Sequence, residues 1–526
     1  MMKRSLDWID GVVHAVDQRA LPGEYRIVQL RTVDEVIAAV RTLTIRGAPA
    51  IGAAGALAVA LSARAHGSDV AAVAADARRI AAARPTAVNL AWAVRRVAEH
   101  LERGPGAVLQ EALALLDEDE RVNRTMAVRA ADEVLKLTRG QRLRVLTHCN
   151  TGRLATVAGG TALGTIIELA QRGRLESVLA GETRPLLQGS RLTAWELAEA
   201  DIPHRVCVDS AGPTAVAAGM IDCVLVGADR ITAHGDVANK IGTYPLALAA
   251  ARAGIPFLVV APESTVDETL SDGGDIVIEE RAAAEVTSLA GRQIAPAGTD
   301  AFNPAFDVTP RDLVTAVVTE NRTLWPALGF GLPRAAGELY RRGWMDGTSG
   351  NLSVRLPGAA GRAVITGSGL SKGALTARDL VHIDIETAAA VSDRGPRPSA
   401  EASLHAALYR ALPDCGAVVH AHPPHATLVA GLSYGPRVDF ENFEIIKGFG
   451  PRRPGPFEVP ILTNHDDVPR IAADLAGTLH PDAPPAFLIR RHGATVWGPD
   501  LETARNRMEC LELLCELHLR TRERRP

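Results

Sequence analysis

From Arg144 onward, short apolar runs recur between stretches of helical pattern, and that alternation limits the fold more than any other feature of the chain. Residues 144–147, 177–180, 205–208, 223–226, 257–260 and 276–278 have the length and composition of buried strands. Strands that alternate with helices build a parallel, doubly wound α/β sheet. Ligands in such sheets gather beyond the carboxyl ends of the strands, where Cys149, Glu182, Asp209 and Asp229 fall.

The rest of the chain follows two other patterns. Residues 1–140 are Ala-rich and helical, with a strand pair expected around residues 6–16 and 25–30. The segment 321–333 is broken by Pro and Gly and reads as a junction near residue 326. A second α/β pattern follows over residues 330–526. It has a helix to Arg342, strands at 351–356, 362–366, 417–422 and 486–490, and helices at 400–412 and 501–519. The expected division is therefore 1–325, helical to 140 and Rossmann-like from 141, followed by 330–526.

At 526 residues each part is long enough to bury its own core. A net charge of −4 gives no reason to expect a nucleic-acid or membrane-surface partner. The six cysteines (149, 207, 223, 415, 510 and 515) form no CxxC pair, which fits a reducing compartment. With no signal-peptide core at the N-terminus, a cytoplasmic location is expected. Residues 47–63 are small and apolar, and a closely packed buried helix is expected there rather than a membrane span.

Within the first half, Asp229 sits where the strand at 223–226 gives way to a loop. Asn239 and Lys240 are expected to open the next helix, where backbone amides and an ammonium suit a phosphate. Cys149 follows the strand at 144–147. A thiol in that position can be activated by backbone amides, or can simply be a small packed residue. Arg46 precedes Gly47, Ala48 and a helix start, Arg84 precedes a Pro-initiated helix, and Gln188 ends the polar stretch from Glu182.

The order of these segments adds more than each one alone. Thr44-Ile-Arg-Gly-Ala-Pro-Ala-Ile-Gly52, Arg84-Pro-Thr-Ala-Val-Asn-Leu90, Thr147-His-Cys-Asn-Thr-Gly152, Glu182-Thr-Arg-Pro185, Arg191-Leu-Thr-Ala-Trp-Glu-Leu197, Gly227-Ala-Asp-Arg230 and Ala238-Asn-Lys-Ile-Gly-Thr243 together resemble the methylthioribose-1-phosphate isomerase family of methionine salvage. The resemblance implies a catalytic pair, Cys149 and Asp229. It also implies that Arg46, Gly47, Ala48, Arg84, Gln188, Asn239 and Lys240 hold a phosphorylated sugar. Two relatives of the same fold type are alternatives: ribose-1,5-bisphosphate isomerases, and non-catalytic subunits of translation initiation factor two-B.

In the second half, His420 and His422 alternate at the end of a strand and can face one metal, and His492 follows another strand. Two histidines packed at a strand end are the plain alternative. His425, behind Pro423 and Pro424, is read as lying outside the ligand set. Glu401 starts a helix, Glu444 lies in Phe443-Glu-Ile-Ile-Lys-Gly448, and two amide-rich turns, 347–351 and 366–369, can cradle an anion.

Thr348-Ser-Gly-Asn-Leu-Ser-Val-Arg355, Arg397-Pro-Ser-Ala-Glu401, Val419-His-Ala-His422, Glu444-Ile-Ile-Lys-Gly448 and Arg490-Arg-His-Gly493 resemble the class II aldolase/adducin fold. Within it they look most like methylthioribulose-1-phosphate dehydratases. That resemblance implies one zinc on His420, His422 and His492, Glu444 as acid/base, and phosphate contacts at Ser349, Asn351, Ser368 and Gly369. Ala400 departs from the aldolase pattern, which commonly has Ser there. An aldolase and an adducin-like binding domain remain alternatives. Together the two halves imply a bifunctional isomerase and dehydratase in which the first product is the second substrate. By analogy with relatives of both halves, a homo-oligomer is expected.

Overall fold

A computed structural model describes residues 3–84, 88–138, 140–270, 272–289, 291–329, 331–356, 361–376, 379–391, 395–451, 453, 455–479 and 483–522. It folds as two units, Met1–Pro326 and Ala327–Pro526. The first begins with an antiparallel sheet of β1 (Leu6–Ile9), β2 (Val12–Val16) and β3 (Ile27–Leu30). The apolar stretch at 6–16 is thus two strands rather than one. Asp10 and Gly11, both at positive φ, turn the chain between them, as a tight hairpin requires.

Helices α1 (Val33–Arg41), α2 (Ala48–His66), α3 (Val70–Ala81), α4 (Val88–Ala98) and α5 (Pro105–Leu137) follow. Thr32 and Glu35 cap α1 reciprocally, each side chain accepting from the other's backbone N–H. Among the described residues α2 is the helix long and apolar enough to cross a membrane, yet every residue from Ala50 to Ala63 is buried in the unit's core. Small residues allow this packing. A Cβ on Gly55 would lie 2.5 Å from Leu90 Cδ1 on α4.

The main sheet collects β4 (Leu143–Thr147), β5 (Leu175–Gly181), β6 (His204–Cys207), β7 (Cys223–Val226), β10 (Phe257–Val260), β15 (Ala316–Val318) and β16 (Thr323–Leu324). Their order is β16-β15-β10-β7-β4-β5-β6, parallel except at the β16 edge. Helices α6 (Ala162–Gln171), α7 (Ala194–Glu199), α8 (Ala211–Ala217) and α9 (Thr243–Ala253) lie between strands in sequence. The chain runs outward from β4 to β6 and then returns to β7 on β4's other side. That reversal makes the β4/β7 boundary the topological switch point.

A smaller sheet, β11-β8-β9-β14, is built from β8 (Arg230–Thr232), β9 (Val237–Lys240), β11 (Val266–Asp267) and β14 (Phe306–Thr309). Helix α10 (Ala284–Thr287) and the hairpin β12 (Ser288–Leu289)/β13 (Arg292–Gln293) lie between β11 and β14 in sequence.

Two expectations are corrected. Residues 276–278 form no strand: Val277 is 89% exposed, and the sixth parallel strand is β15. Asn239 and Lys240 do not open a helix. They end β9, paired with Asp307 and Phe306 of β14, and α9 starts only after Gly242 turns at φ 105°.

The second unit opens with α11 (Gly331–Arg341). It continues through β17 (Asn351–Arg355), β18 (Arg362–Thr366), β19 (Leu380–Asp384), α12 (Ala402–Ala411), β20 (Ala417–Ala421), α13 (Pro424–Leu432) and β21 (Arg437–Phe440). The last elements are β22 (Phe457–Leu462), α14 (Val468–Ala476), β23 (Ala486–Ile489), β24 (Gly493–Gly498) and α15 (Leu501–Arg522). The eight strands form one sheet in the order β19-β18-β17-β20-β24-β23-β22-β21, antiparallel except for β22 beside β23. Residues of α12 and α14 share a core with Val418, Phe487, Ile489 and Trp497.

Leu57, fully buried on α2, tests the first core. Leu57→Ala is expected to destabilise this unit by about 2–5 kcal/mol, from lost transfer energy and a residual cavity. Chemical denaturation followed by circular dichroism measures it.

Candidate active sites

The first site grows from the ends of β4 and β7. Register places Thr147 beside Leu225, so Cys149 and Asp229 leave neighbouring strands at the same edge of the sheet. Both line a cavity of about 180 Å³. Arg46, Gly47, Ala48, Arg84, Gln188, Asn239 and Lys240 line it as well, so the fold brings all nine sequence-predicted residues of this half together. Pro85 to Ala87, the expected helix start after Arg84, lie outside the described residues.

Local structure explains how each group is held. Cys149 sits at φ 61°, a left-handed conformation that costs an L residue about 1–2 kcal/mol. Hydrogen bonds hold it there: its N–H donates to Thr183 Oγ1 at 2.9 Å, and its carbonyl accepts from Thr193 Oγ1 at 2.6 Å. Thr183 is fixed in turn by Asp209, which accepts from the Thr183 and Arg184 N–H groups at 2.8 and 2.7 Å. The acid at that strand end therefore organises the loop.

Gly47 caps α2 at φ 93°, and a Cβ there would lie 2.2 Å from the Ala155 carbonyl oxygen, so only glycine fits. The start of α2 consequently opens directly onto the cavity. Asn239 is held by its side-chain amide, which donates to Thr243 Oγ1 at 2.9 Å.

The cavity is rich in cations, with Arg46, Arg84, Lys240 and Arg281 around two carboxylates, Asp229 and Glu279. Asp229 is reached through the cavity it lines, yet protein surrounds it deeply enough that burial pushes its carboxyl up to about 6. Lys240, Arg46 and Arg84 oppose that rise. Burial likewise raises the Cys149 thiol against the pull of Arg46 and Lys240, and lowers the Lys240 ammonium against Cys149 and Asp229. The site can thus present a neutral acid and a neutral thiol beside a cluster of cations.

Sequence reasoning assigned no role to Asn150, Glu196 or Arg281. Asn150 and Glu196 lie within quoted motifs, but only their three-dimensional partners give them one.

The second site lies where β20, β23 and β24 meet. Thr495 of β24 pairs in register with His420, and the turn from β23 to β24 carries His492. The ligand atoms of His420, His422 and His492 lie within 4.8 Å of one another, with the Nε2 atoms of His420 and His422 3.1 Å apart. Burial and the two neighbouring imidazoles push His422 down to about 3, which keeps it neutral, the form that binds metal. His492 Nδ1 is buried without a hydrogen-bond partner. Three converging imidazoles are a donor set suited to a zinc-type ion.

The carboxylate against this cluster is Glu401, whose oxygens lie 3.2 Å from His420 Nε2 and 3.4 Å from His492 Nε2. Asn351 donates its amide to Glu401 at 2.6 Å, so its side chain orients the carboxylate. Glu444 is elsewhere, on an exposed turn and ion-paired with Lys447.

Ser368 and Gly369 are exposed and Ser349 is half-buried, leaving both turns accessible. Lys372, missed in the sequence, is buried and donates to the Thr348 and Leu370 carbonyls at 2.9 and 2.8 Å, tying the two turns together. His425 bonds Glu512 at 2.8 Å and stays out of the cluster.

Residues 44–325 place the chain in the Initiation factor 2 subunit family, and residues 331–519 match the Class II Aldolase and Adducin N-terminal domain. A Nocardia farcinica protein described as a probable bifunctional methylthioribose-1-phosphate isomerase/methylthioribulose-1-phosphate dehydratase is 57% identical over 531 residues, covering 98% of this chain and 96% of that one. A methylthioribose-1-phosphate isomerase of Anaeromyxobacter is 54% identical over 309 residues, 59% of this chain and 89% of its own length. Among solved structures, 5-methylthioribose 1-phosphate isomerase from Pyrococcus horikoshii superposes with a TM-score of 0.58 at 38% identity, covering 63% of this chain and 95% of that one.

The raised Asp229 carboxyl has a consequence for stability. Its folded value of about 6 lies above the ordinary 3.8, so the native state binds the extra proton between those values. Stability from this group is full below about 4, falls as pH rises to about 6, and is then flat. Asp229→Asn should therefore melt higher than wild type above pH 6, with the gap closing as pH falls to 4. Thermal melts across that range measure it, and a constant gap would contradict the assignment.

Proposed function

We propose that the chain is a bifunctional enzyme of methionine salvage. Its first unit isomerises 5-methylthioribose 1-phosphate to 5-methylthioribulose 1-phosphate, and its second dehydrates that ketose to 2,3-diketo-5-methylthiopentyl 1-phosphate. The observation that carries the first assignment is the convergence of Cys149 and Asp229 with a cluster of cations in one cavity at the switch point. Near-full-length similarity to the Nocardia farcinica protein supports joining the two activities in one chain.

The anomeric phosphate blocks free ring opening, so an acid must act at the ring oxygen. Asp229, poised at about 6, is the proton donor. Once the ring opens, hydrogen moves from C2 to C1, and the C2 hydroxyl proton returns to Asp229 as the ketone forms. Cys149 is the second catalytic group, its thiol kept neutral by burial. Arg46, Arg84 and Lys240 meet the phosphate, with Gly47, Ala48, Gln188 and Asn239 completing the substrate contacts.

In the second unit His420, His422 and His492 would hold one zinc ion, which would supply a Lewis acid to polarise the ketose carbonyl. Glu401, the carboxylate beside the cluster, is assigned to take the C3 proton and return it to the departing C4 hydroxyl; Glu444, the acid/base that the resemblance implies, stands away on its exposed turn, paired with Lys447. Ser349, Ser368 and Gly369 are assigned to the phosphate, and Asn351 to the carboxylate of Glu401 and to the phosphate edge of the site.

Separate chemistry in separate units gives a direct test. Cys149→Ala and Asp229→Asn are each expected to lose isomerisation by at least about 100-fold, while dehydration of supplied ketose phosphate continues at the wild-type rate. A folded variant that loses both reactions would refute two independent sites.

The metal and the product are checked together. His422→Ala should lower zinc content well below one per chain by elemental analysis, and should stop dehydration. Mass spectrometry of wild type fed the aldose phosphate should show a product one water lighter. Dihydroxyacetone phosphate with a methylthio-aldehyde would instead make the second unit an aldolase.

A further inference from the structure

Glu196 lies outside the cavity's lining, fully enclosed at 4% exposure, yet it is wired to it. Its Oε1 accepts from Asn150 Nδ2 at 2.7 Å and its Oε2 from the Arg153 N–H at 2.9 Å. Asn150 then presents Oδ1 to Arg46 Nη1 at 2.9 Å, while its backbone carbonyl accepts from Arg46 Nη2 at the same distance. The carboxylate therefore grips both ends of the turn that follows Cys149. Gly152, inside that turn, has no room for a side chain: a Cβ would lie 2.4 Å from each Glu196 oxygen.

The polarity of this chain of bonds is one-way. A guanidinium only donates and a carboxylate only accepts, so the Asn150 amide between them has one allowed orientation. We propose that Glu196 is a positioning residue for the isomerase: by fixing the Asn150 amide it aims the Arg46 guanidinium at the substrate phosphate. This rests on the reading of the first cavity as a sugar-phosphate isomerase site with Arg46 on the phosphate.

Glu196→Gln keeps the shape but leaves a single acceptor oxygen for two donors. If that oxygen serves Arg153, the new amide group faces Asn150 and turns its oxygen inward. Asn150 then offers N–H groups to Arg46, a donor against a donor. The complementary change, Asn150→Asp, puts a second carboxylate against Glu196 and is also mismatched. Combining the two restores the pairs that run from Arg153 to Arg46, and gives up only the long 3.3 Å bond from the Asn150 amide to Thr193 Oγ1. The introduced glutamine accepts from Arg153 and donates to the introduced aspartate, which in turn accepts from Arg46. The net charge of the pair is unchanged.

The test measures KM and kcat for methylthioribose 1-phosphate, and inhibition by inorganic phosphate, in the full-length protein. Losing an aimed charge-assisted contact to phosphate should raise KM about tenfold in Glu196→Gln and in Asn150→Asp. Phosphate inhibition should weaken by the same factor, with kcat within about twofold, because contacts to the phosphate bind substrate and transition state alike. The double variant should return KM and phosphate inhibition to near wild type.

Asn150→Ala, which leaves Glu196 its bond from Arg153, should raise KM in the same way. A double variant that folds and turns over when either single variant does not supports the proposal equally. Wild-type KM in Glu196→Gln or Asn150→Ala, or a double variant no better than the worse single one, overturns it. If wild type fails to isomerise the aldose phosphate at all, the functional reading falls instead.

Discussion

Six parallel strands run through the first unit, and the central pair, β4 and β7, is held in register with Thr147 beside Leu225. Adjacent strands in a sheet lie about 4.8 Å apart, so loops leaving their ends begin almost in contact. The chain's reversal at this pair sends the loop after β4 and the loop after β7 in opposite lateral directions, which opens a crevice between them. Cys149 and Asp229 are the residues that flank it. The cations then arrive from separate directions: Arg46 from the start of α2, Arg84 from the end of α3, and Lys240 from β9. The site depends on the strand pairing first and on any individual side chain second.

Burial acts on groups of both signs at the two sites, and its effect is the same: it favours neutral forms. In the first cavity it raises Asp229 and Cys149 and lowers Lys240. A dianionic phosphate entering that space supplies the counter-charge that Lys240, Arg46 and Arg84 otherwise draw from Asp229. In the proposed reaction substrate binding would thereby relieve the pull that holds the Asp229 carboxyl down, and keep it in the protonated form that a donor needs. At the histidine cluster, burial and the neighbouring imidazoles keep His422 neutral, so at that ring a metal would not compete with a proton at neutral pH.

Much of this was legible in the sequence, for identifiable reasons. Strand-end residues announce themselves because the apolar run before them stops abruptly, as at Cys149, Asp229 and His422. Positions set by longer-range pairing do not. Asn239 and Lys240 precede an Ala-rich helix in sequence, but their conformation comes from β14, whose Phe306 and Asp307 lie more than sixty residues away. Residues 276–278 have the composition of a strand, and only the absence of a sheet neighbour leaves Val277 in solvent. Glu401 looked like an ordinary helix-start acid until α12 set it against two imidazoles, whereas Glu444 sits on an exposed turn. Glu196 is the extreme case: its partners are backbone and amide groups of another loop, and no spacing rule links them.

The phosphate passes through both proposed reactions unchanged, which constrains how binding energy is used. Contacts to a group that does not react stabilise aldose, ketose and transition state about equally, so they set affinity and not turnover. Discrimination along the proposed reaction must then come from other groups, the proposed proton donor Asp229 and Cys149 held at φ 61°. Arg46 and the thiol are nevertheless mechanically joined. The turn that carries Cys149 is the turn whose Asn150 steadies Arg46, and one carboxylate, Glu196, holds both Asn150 and Arg153. The span between the Arg46 guanidinium and the Cys149 thiol is thus set through one short turn. In the proposed reaction that turn would give a small sugar phosphate a fixed span to fill.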